Sequence, residues 1–208
     1  LLFLEALPII KAALGAEHAD YATSLHNLGS FYFDMSDYKK SEPILLEARL
    51  IREKILGKEH YQTASTVANL AAVYNGMGKY EKAELFYLDG IKTFERVLGK
   101  EHREYTKNVS NLASVYLRQS RFAEAATLFL EANKINRKMI ETTASYASEN
   151  EMMAFLNTLE GNTAKLQSLT QVFPTPELQG ENFNNALFFN GLVLGNNRLL
   201  SSAMVSAD

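Results

Sequence analysis

Apolar residues recur at helical spacing along most of the chain. In residues 56–97, Val67, Leu70, Ala71 and Tyr74 fall on one face of a helix, and Ala83, Tyr87, Gly90 and Ile91 fall on one face of a second. The same alternation of buried-type and polar positions comes before and after at an interval of 42 residues. Leu14, Leu56 and Leu98 therefore open three full units, 14–55, 56–97 and 98–139, while residues 1–13 align with 43–55 as the second helix of an earlier, partial unit. Eight columns are identical in all three units: Leu14/Leu56/Leu98, Gly15/Gly57/Gly99, Glu17/Glu59/Glu101, His18/His60/His102, Asn27/Asn69/Asn111, Leu28/Leu70/Leu112, Tyr32/Tyr74/Tyr116 and Leu46/Leu88/Leu130. A fixed period of this length predicts a solenoid, here all-α and built of antiparallel helix pairs.

Local chemistry supports two helices per unit. Asp34 to Asp37, Gly76 to Lys79 and Arg118 to Arg121 hold small or polar residues between the helices, so the chain reverses in a short loop. Each second helix runs into Leu-Gly, and Gly15, Gly57 and Gly99 are expected to take the left-handed conformation that closes a helix C-terminus. Ala48, Gly90 and Ala132 mark the places where two helices approach closely.

These positions resemble the tetratricopeptide repeat, whose pattern runs L-x-x-L-G/A-x-x-Y followed by a small residue, an aromatic or Leu, and another Ala or Gly. The matching residues are Leu25, Leu28, Gly29, Tyr32, Ser41, Leu45 and Ala48 in the first unit. Val67, Leu70, Ala71, Tyr74, Ala83, Tyr87 and Gly90 follow in the second, and Val109, Leu112, Ala113, Tyr116, Ala125, Phe129 and Ala132 in the third. The longer period, the LG-x-E-H opening and the missing terminal proline make the repeat similar to the kinesin-light-chain type. The resemblance covers 1–140 and implies a right-handed superhelix whose first helices line a concave groove that binds protein or peptide.

The first helices carry a polar stripe beside their apolar face: Thr23, Asn27, Ser30 and Asp34; Ser65, Asn69, Ala72 and Gly76; Lys107, Asn111, Ser114 and Arg118. The resemblance implies that this stripe faces the groove, which makes Thr23, Asn27, Ser30, Ser65, Asn69, Lys107, Asn111, Ser114 and Arg118 the candidate peptide-binding residues. Asparagine both donates and accepts, so a ladder of Asn27, Asn69 and Asn111 could pair with the backbone of an extended peptide of any sequence. A clamp for a terminal carboxylate needs several cations. This stripe offers only Lys107 and Arg118, against Asp34 and the titratable His26, so an internal peptide segment is expected.

Composition narrows the field. Of 208 residues, 47% are hydrophobic, and the formal net charge is −3, which leaves no basic stripe for nucleic acid. The chain contains no cysteine, so it has no disulfide, thiolate metal cluster or cysteine nucleophile, and a reducing, cytoplasmic setting is expected. The opening LLFLEALPIIKAALG lacks the basic flank and cleavage site of a signal peptide, and no apolar run reaches the ~20 residues of a membrane span. No membrane association is therefore expected.

No cofactor, metal or catalytic site is expected either. The repeated His18, His60 and His102 are too far apart to share an ion, since packed helices lie ~8–10 Å apart, and they read as helix-start contacts or inter-repeat hydrogen bonds. Gly76-Met-Gly78-Lys79 lacks the spacing of a phosphate loop, and neither G-x-S-x-G nor H-E-x-x-H occurs. Asn108-Val-Ser110 is a glycosylation sequon in form only, because it falls inside a helix.

After about Ile140 the repeat fades into a non-repeat helical extension, 141–208. Ser148 and Glu151 form a capping box for a helix carrying Met152, Phe155, Leu156 and Leu159, which Gly161 should bend or end. Residues 163–173 form the next helix, Pro174-Thr-Pro176 a break, and 182–204 a last helix. Its band Leu187, Phe188, Phe189, Leu192, Val193 and Leu194 needs cover, so assembly of two copies through 183–200 is a second functional expectation. Residues 145–205 resemble the helical segment that precedes a CHAT domain, a caspase-like module of bacterial multidomain proteins. That resemblance implies that the chain is the docking arm of a larger protein, with any protease residues in a C-terminal domain beyond this sequence.

Overall fold

Each first helix opens on one of the repeated histidines. The computed structural model describes the backbone of residues 2–143 and 149–188, and the side chains of 5–142 and 160–188. Its named helices are α1 (Leu2–Leu14), α2 (Ala19–Asp34), α3 (Tyr38–Leu56), α4 (Tyr61–Gly76), α5 (Tyr80–Leu98), α6 (Arg103–Arg118), α7 (Phe122–Thr143) and α8 (Glu149–Val172). A further helical stretch covers 176–188, and there is no strand among the described residues.

His18, His60 and His102 hold extended backbone just ahead of α2, α4 and α6. Each ring Nδ1 accepts the N–H two residues on, from Asp20 at 3.1 Å, Gln62 at 3.2 Å and Glu104 at 3.1 Å. The imidazole thus does what a serine or asparagine oxygen does at other helix starts, satisfying one orphan donor. This local hydrogen bond explains the column without a metal.

The helix ends correct one expectation. Gly15, Gly57 and Gly99 have φ of 89°, 87° and 82°, but ψ at Gly57 and Gly99 is 161° and 165°. This is the extended mirror region, closed to residues with a Cβ, rather than the left-handed helical one. The left-handed positions lie in the other loop, at Ser36, Gly78 and Ser120, with φ of 58°, 73° and 59°. There the next residue's N–H closes onto the tyrosine column: Asp37 to Tyr32 O (2.8 Å), Lys79 to Tyr74 O (2.8 Å) and Arg121 to Tyr116 O (2.9 Å). That six-to-one bond is the Schellman closure of a helix C-terminus.

The chain divides into two compact units, Leu1–Leu128 and Phe129–Asp208. The sequence period runs on to residue 139, because a repeat is defined by its pattern and a compact unit by its contacts; α7 belongs to both units. In the first unit consecutive helices pack in pairs, and the first helices of successive repeats also touch, α2 with α4 and α4 with α6. Leu25, Leu45, Leu70, Tyr87, Phe94 and Leu112 are fully buried there.

Other repeated columns are explained by contacts that recur with the period. Burial, then Glu42 of the preceding repeat, raises the pKa of the Tyr74 phenol, and Lys79 lies 3.7 Å from that carboxylate. One repeat on, the Tyr116 hydroxyl donates to Glu84 at 2.9 Å and Arg121 to the same group at 2.7 Å. The glutamate column pairs with the end of the second helix, Glu17 with Lys54 and Glu59 with Arg96. These last pairs are exposed and contribute little, because solvent screens them.

Close helix approach is uneven among the small residues. A Cβ on Gly29 would lie 2.6 Å from Leu45 Cγ, whereas on Gly90 its nearest neighbour would be Ala64 O at an ordinary 3.7 Å. Ala48 and Ala132 already fill the Gly90 column at full burial. Gly90→Ala is therefore expected to raise stability by about 1 kcal/mol in thermal unfolding, since a methyl fits and helix propensity improves. A lowered melting temperature would show that α4 and α5 tolerate no added methyl there.

In the second unit, Leu166, Leu169 and Leu178 are fully buried. Arg137 donates to Glu181 at 3.0 Å and to Asn185 at 3.3 Å, and Asn185 donates to Thr163 at 3.1 Å. Helix α8 passes through Gly161 without ending, so 163–172 continues it where a separate helix was expected. A mid-helix glycine costs only about 1 kcal/mol relative to alanine, which surrounding structure can absorb. The expected break at 174–176 falls one residue earlier, at 173–175, where Thr175 Oγ1 accepts the Leu178 N–H at 3.3 Å, and Pro176 opens the next helix ahead of its expected start at 182. Ser148, the side chains of Glu151, Met152, Phe155, Leu156 and Leu159, and all of 189–208 lie outside the described residues. So do most of the apolar band and of the 183–200 assembly segment.

Candidate functional site

A cavity of about 620 Å³ lies in the first unit, lined chiefly by α2, α4 and α6. Six of the nine candidate residues line it: Ser30, Ser65, Asn69, Lys107, Asn111 and Arg118. Asp34, Ala72 and Gly76 of the same stripe join them. The other three do not. Thr23 is half-buried and accepts from Arg52 Nη2 at 3.3 Å. Asn27 is exposed. The Ser114 hydroxyl donates to Ser110 O at 2.9 Å.

The cavity also holds residues outside the stripe: His26, Phe33, Tyr38, Tyr61, Asn75, Tyr87, Glu104 and Asn108. His26, Phe33 and Asn75 each precede a stripe position, so widening the stripe by one residue would have found them. Tyr38 and Tyr87 come from second helices, α3 and α5, and only packing brings them in. The Tyr38 ring rests on Gly76 so closely that a Cβ there would lie 2.5 Å from its Cζ.

Asn69 is held rather than loose: its Nδ2 donates to Ser30 Oγ at 2.8 Å and lies 3.5 Å from His26 Nε2. Burial pushes the Tyr87 phenol well above the ordinary tyrosine range, with the nearby Asn111 side chain acting the other way.

His26 joins a network that fixes its tautomer. Thr66 donates to Gln62 O at 3.1 Å and accepts from Arg52 Nη1 at 2.8 Å, so the His26 Nδ1 that faces Thr66 Oγ1 at 3.3 Å carries the proton. Nε2 is then free to accept from Asn69. Burial, then the charges of Arg52 and Lys107, lower the His26 pKa to about 4, and the ring is neutral near pH 7.

Arg52 is itself only 4% exposed and bonds neutral oxygens alone: Gln62 O, Thr66 Oγ1 and Thr23 Oγ1. No carboxylate among the described residues pairs with it. Its column is filled by Phe94 in the next repeat, so the period predicts the burial of this position but not its chemistry.

The helix pairs, their stacking at a constant interval and the cavity along the first helices agree with the sequence families that match. Tetratricopeptide repeat profiles match residues 20–96 and 110–140, together more than half of the chain. The chain belongs to the tetratricopeptide repeat family. No curated protein matches the sequence.

Among solved structures, the chain is similar to BtubC (BKLC) from P. vanneervenii, with TM-score 0.73 and 18% identity over 92% of this chain and 72% of that one. It is also similar to a kinesin light chain of Podosopora anserina with nearly identical TPR-like repeats. A point variant of that protein gives TM-score 0.59 and 19% identity over 80% of this chain and 86% of that one. A second structure gives 0.54 and 18% over 90% and 95%. At such identities these likenesses concern the fold alone. The tetratricopeptide fold is a non-catalytic scaffold that mediates protein–protein interaction. No helix among the described residues is long and apolar enough to cross a membrane.

Proposed function

We propose that this tetratricopeptide module binds an extended peptide segment in the cavity along α2, α4 and α6. The observation that carries this reading is a cavity that runs along three successive first helices and is lined by their amide side chains. Asn69 and Asn111 line this path and supply donors and acceptors suited to peptide backbone.

The reading can be tested before any natural partner is identified. Panning a random dodecapeptide display library against the chain yields ligands whose affinities can be measured by calorimetry. Asn69→Ala and Asn111→Ala are each expected to weaken binding about fivefold, the loss of roughly one hydrogen bond. Unchanged affinities with intact melting curves would move the site off this groove.

Within a longer polypeptide such a module is a docking or regulatory arm in the cytoplasm, the role that the resemblance of 145–205 to CHAT-associated helices implies. Assembly through 183–200 is the second reading. Phe183 and Leu187 favour it, one helical turn apart and 64% and 54% exposed. Monomers in light scattering at high concentration would remove it.

A further inference from the structure

Two charges of opposite sign stand at equivalent ends of the groove. Asp34 and Arg118 are the last residues of α2 and α6, occupy the same position of the repeat, and both line the cavity. Both are exposed, and neither has an ion pair or hydrogen-bond partner among the described residues. Between them the same position is Gly76, covered by the Tyr38 ring, so no charge intervenes on that register. The other ionised groups of the lining, Glu104 and Lys107, lie 3.9 Å from each other and largely cancel. The remaining titratable groups there are the neutral His26 and the phenols of Tyr38, Tyr61 and Tyr87.

We propose that the groove reads charge order: it takes an extended peptide with a basic side chain at the Asp34 end and an acidic one at the Arg118 end. This rests on the peptide-binding reading of the same cavity and adds a specificity to it. With the two positions about 20 Å apart across three helices and ~3.3 Å of rise per extended residue, the two charges are about six residues apart in the ligand. Helix dipoles make the ends unequal. The carbonyl end of α2 adds to the negative charge of Asp34, while that of α6 offsets part of Arg118. The basic residue of the ligand is therefore selected more strongly than the acidic one.

The test uses the full chain and random dodecapeptide display, comparing wild type with the double variant Asp34→Arg/Arg118→Asp. Both positions are exposed, and circular dichroism checks that the fold is kept. Wild type is expected to enrich peptides with opposite charges about six residues apart in one N-to-C order, and the double variant to enrich the reverse order. A peptide selected on wild type should lose about tenfold in affinity for the double variant, as attraction turns to repulsion at both ends. Asp34→Asn should weaken binding more than Arg118→Gln.

Ligands that depend on Asn69 and Asn111 but show no charge order, or keep the same order in the double variant, would overturn this proposal and leave the groove in place. Enrichment indifferent to Asn69 and Asn111, or no enrichment at all, would overturn the peptide-groove reading itself, and this proposal with it.

Discussion

Leu70→Ala is expected to destabilise the protein by about 2–5 kcal/mol in denaturant unfolding. Leu70 has no exposed surface and sits in α4, the central first helix, which packs on α3 and α5 and touches α2 and α6. Truncation removes the transfer free energy of the lost carbons and leaves a cavity that only partly collapses. The position also matters because stability in a solenoid is close to a sum of repeats and their nearest-neighbour interfaces. A weakened central repeat loosens the contacts on both of its sides.

The comparison is Leu88→Ala. Leu88 belongs to another column that is leucine in every repeat, yet it is 46% exposed, and its loss should stay within about 1 kcal/mol. Equal effects at the two sites would show that burial in the folded chain does not set the cost.

Acid is expected to weaken the fold through one residue, by roughly 2 kcal/mol between pH 7 and pH 4.5. In the unfolded chain His26 takes a proton near its ordinary 6.5, whereas in the fold it resists protonation down to about 4. Between those values the unfolded state binds the extra proton, so stability falls as pH drops through that window and is complete above it. The cause is burial, then the charge of Arg52, a cation that no carboxylate pairs with among the described residues, reinforced by Lys107. His26→Gln keeps an amide in place of the ring and removes the titration. The difference in unfolding free energy between wild type and this variant should change by that amount from pH 7 to 4.5. A constant difference would mean that the ring titrates alike in both states. Peptide binding should weaken over the same range, since protonated His26 can no longer accept from Asn69 and adds a charge to the groove wall.

The site was partly legible in the residues. Helical periodicity and a constant interval were enough to place Ser30, Ser65, Asn69, Lys107, Asn111 and Arg118 on one lining, because equivalent positions of stacked repeats must face the same way. Thr23, Asn27 and Ser114 share the periodicity but not the cavity: Thr23 is held by Arg52, and Ser114 bonds its own helix. The asparagine column illustrates the difference. Its three members are identical in sequence, yet Asn27 lies exposed, Asn69 is tied to Ser30, and Asn111 stands near a phenol from a second helix.

The amino-acid order alone determined the all-α repeat, its 42-residue period and the positions of the turns. Those depend on contacts within a few residues or on a pattern that every unit repeats. Folding in three dimensions decided which backbone region Gly57 occupies, that Tyr38 covers Gly76, and that an arginine near His26 bonds only neutral oxygens among the described residues. These depend on which side chains from distant parts of the chain compete for the same space, and a periodic pattern says where a position points but not what it meets there.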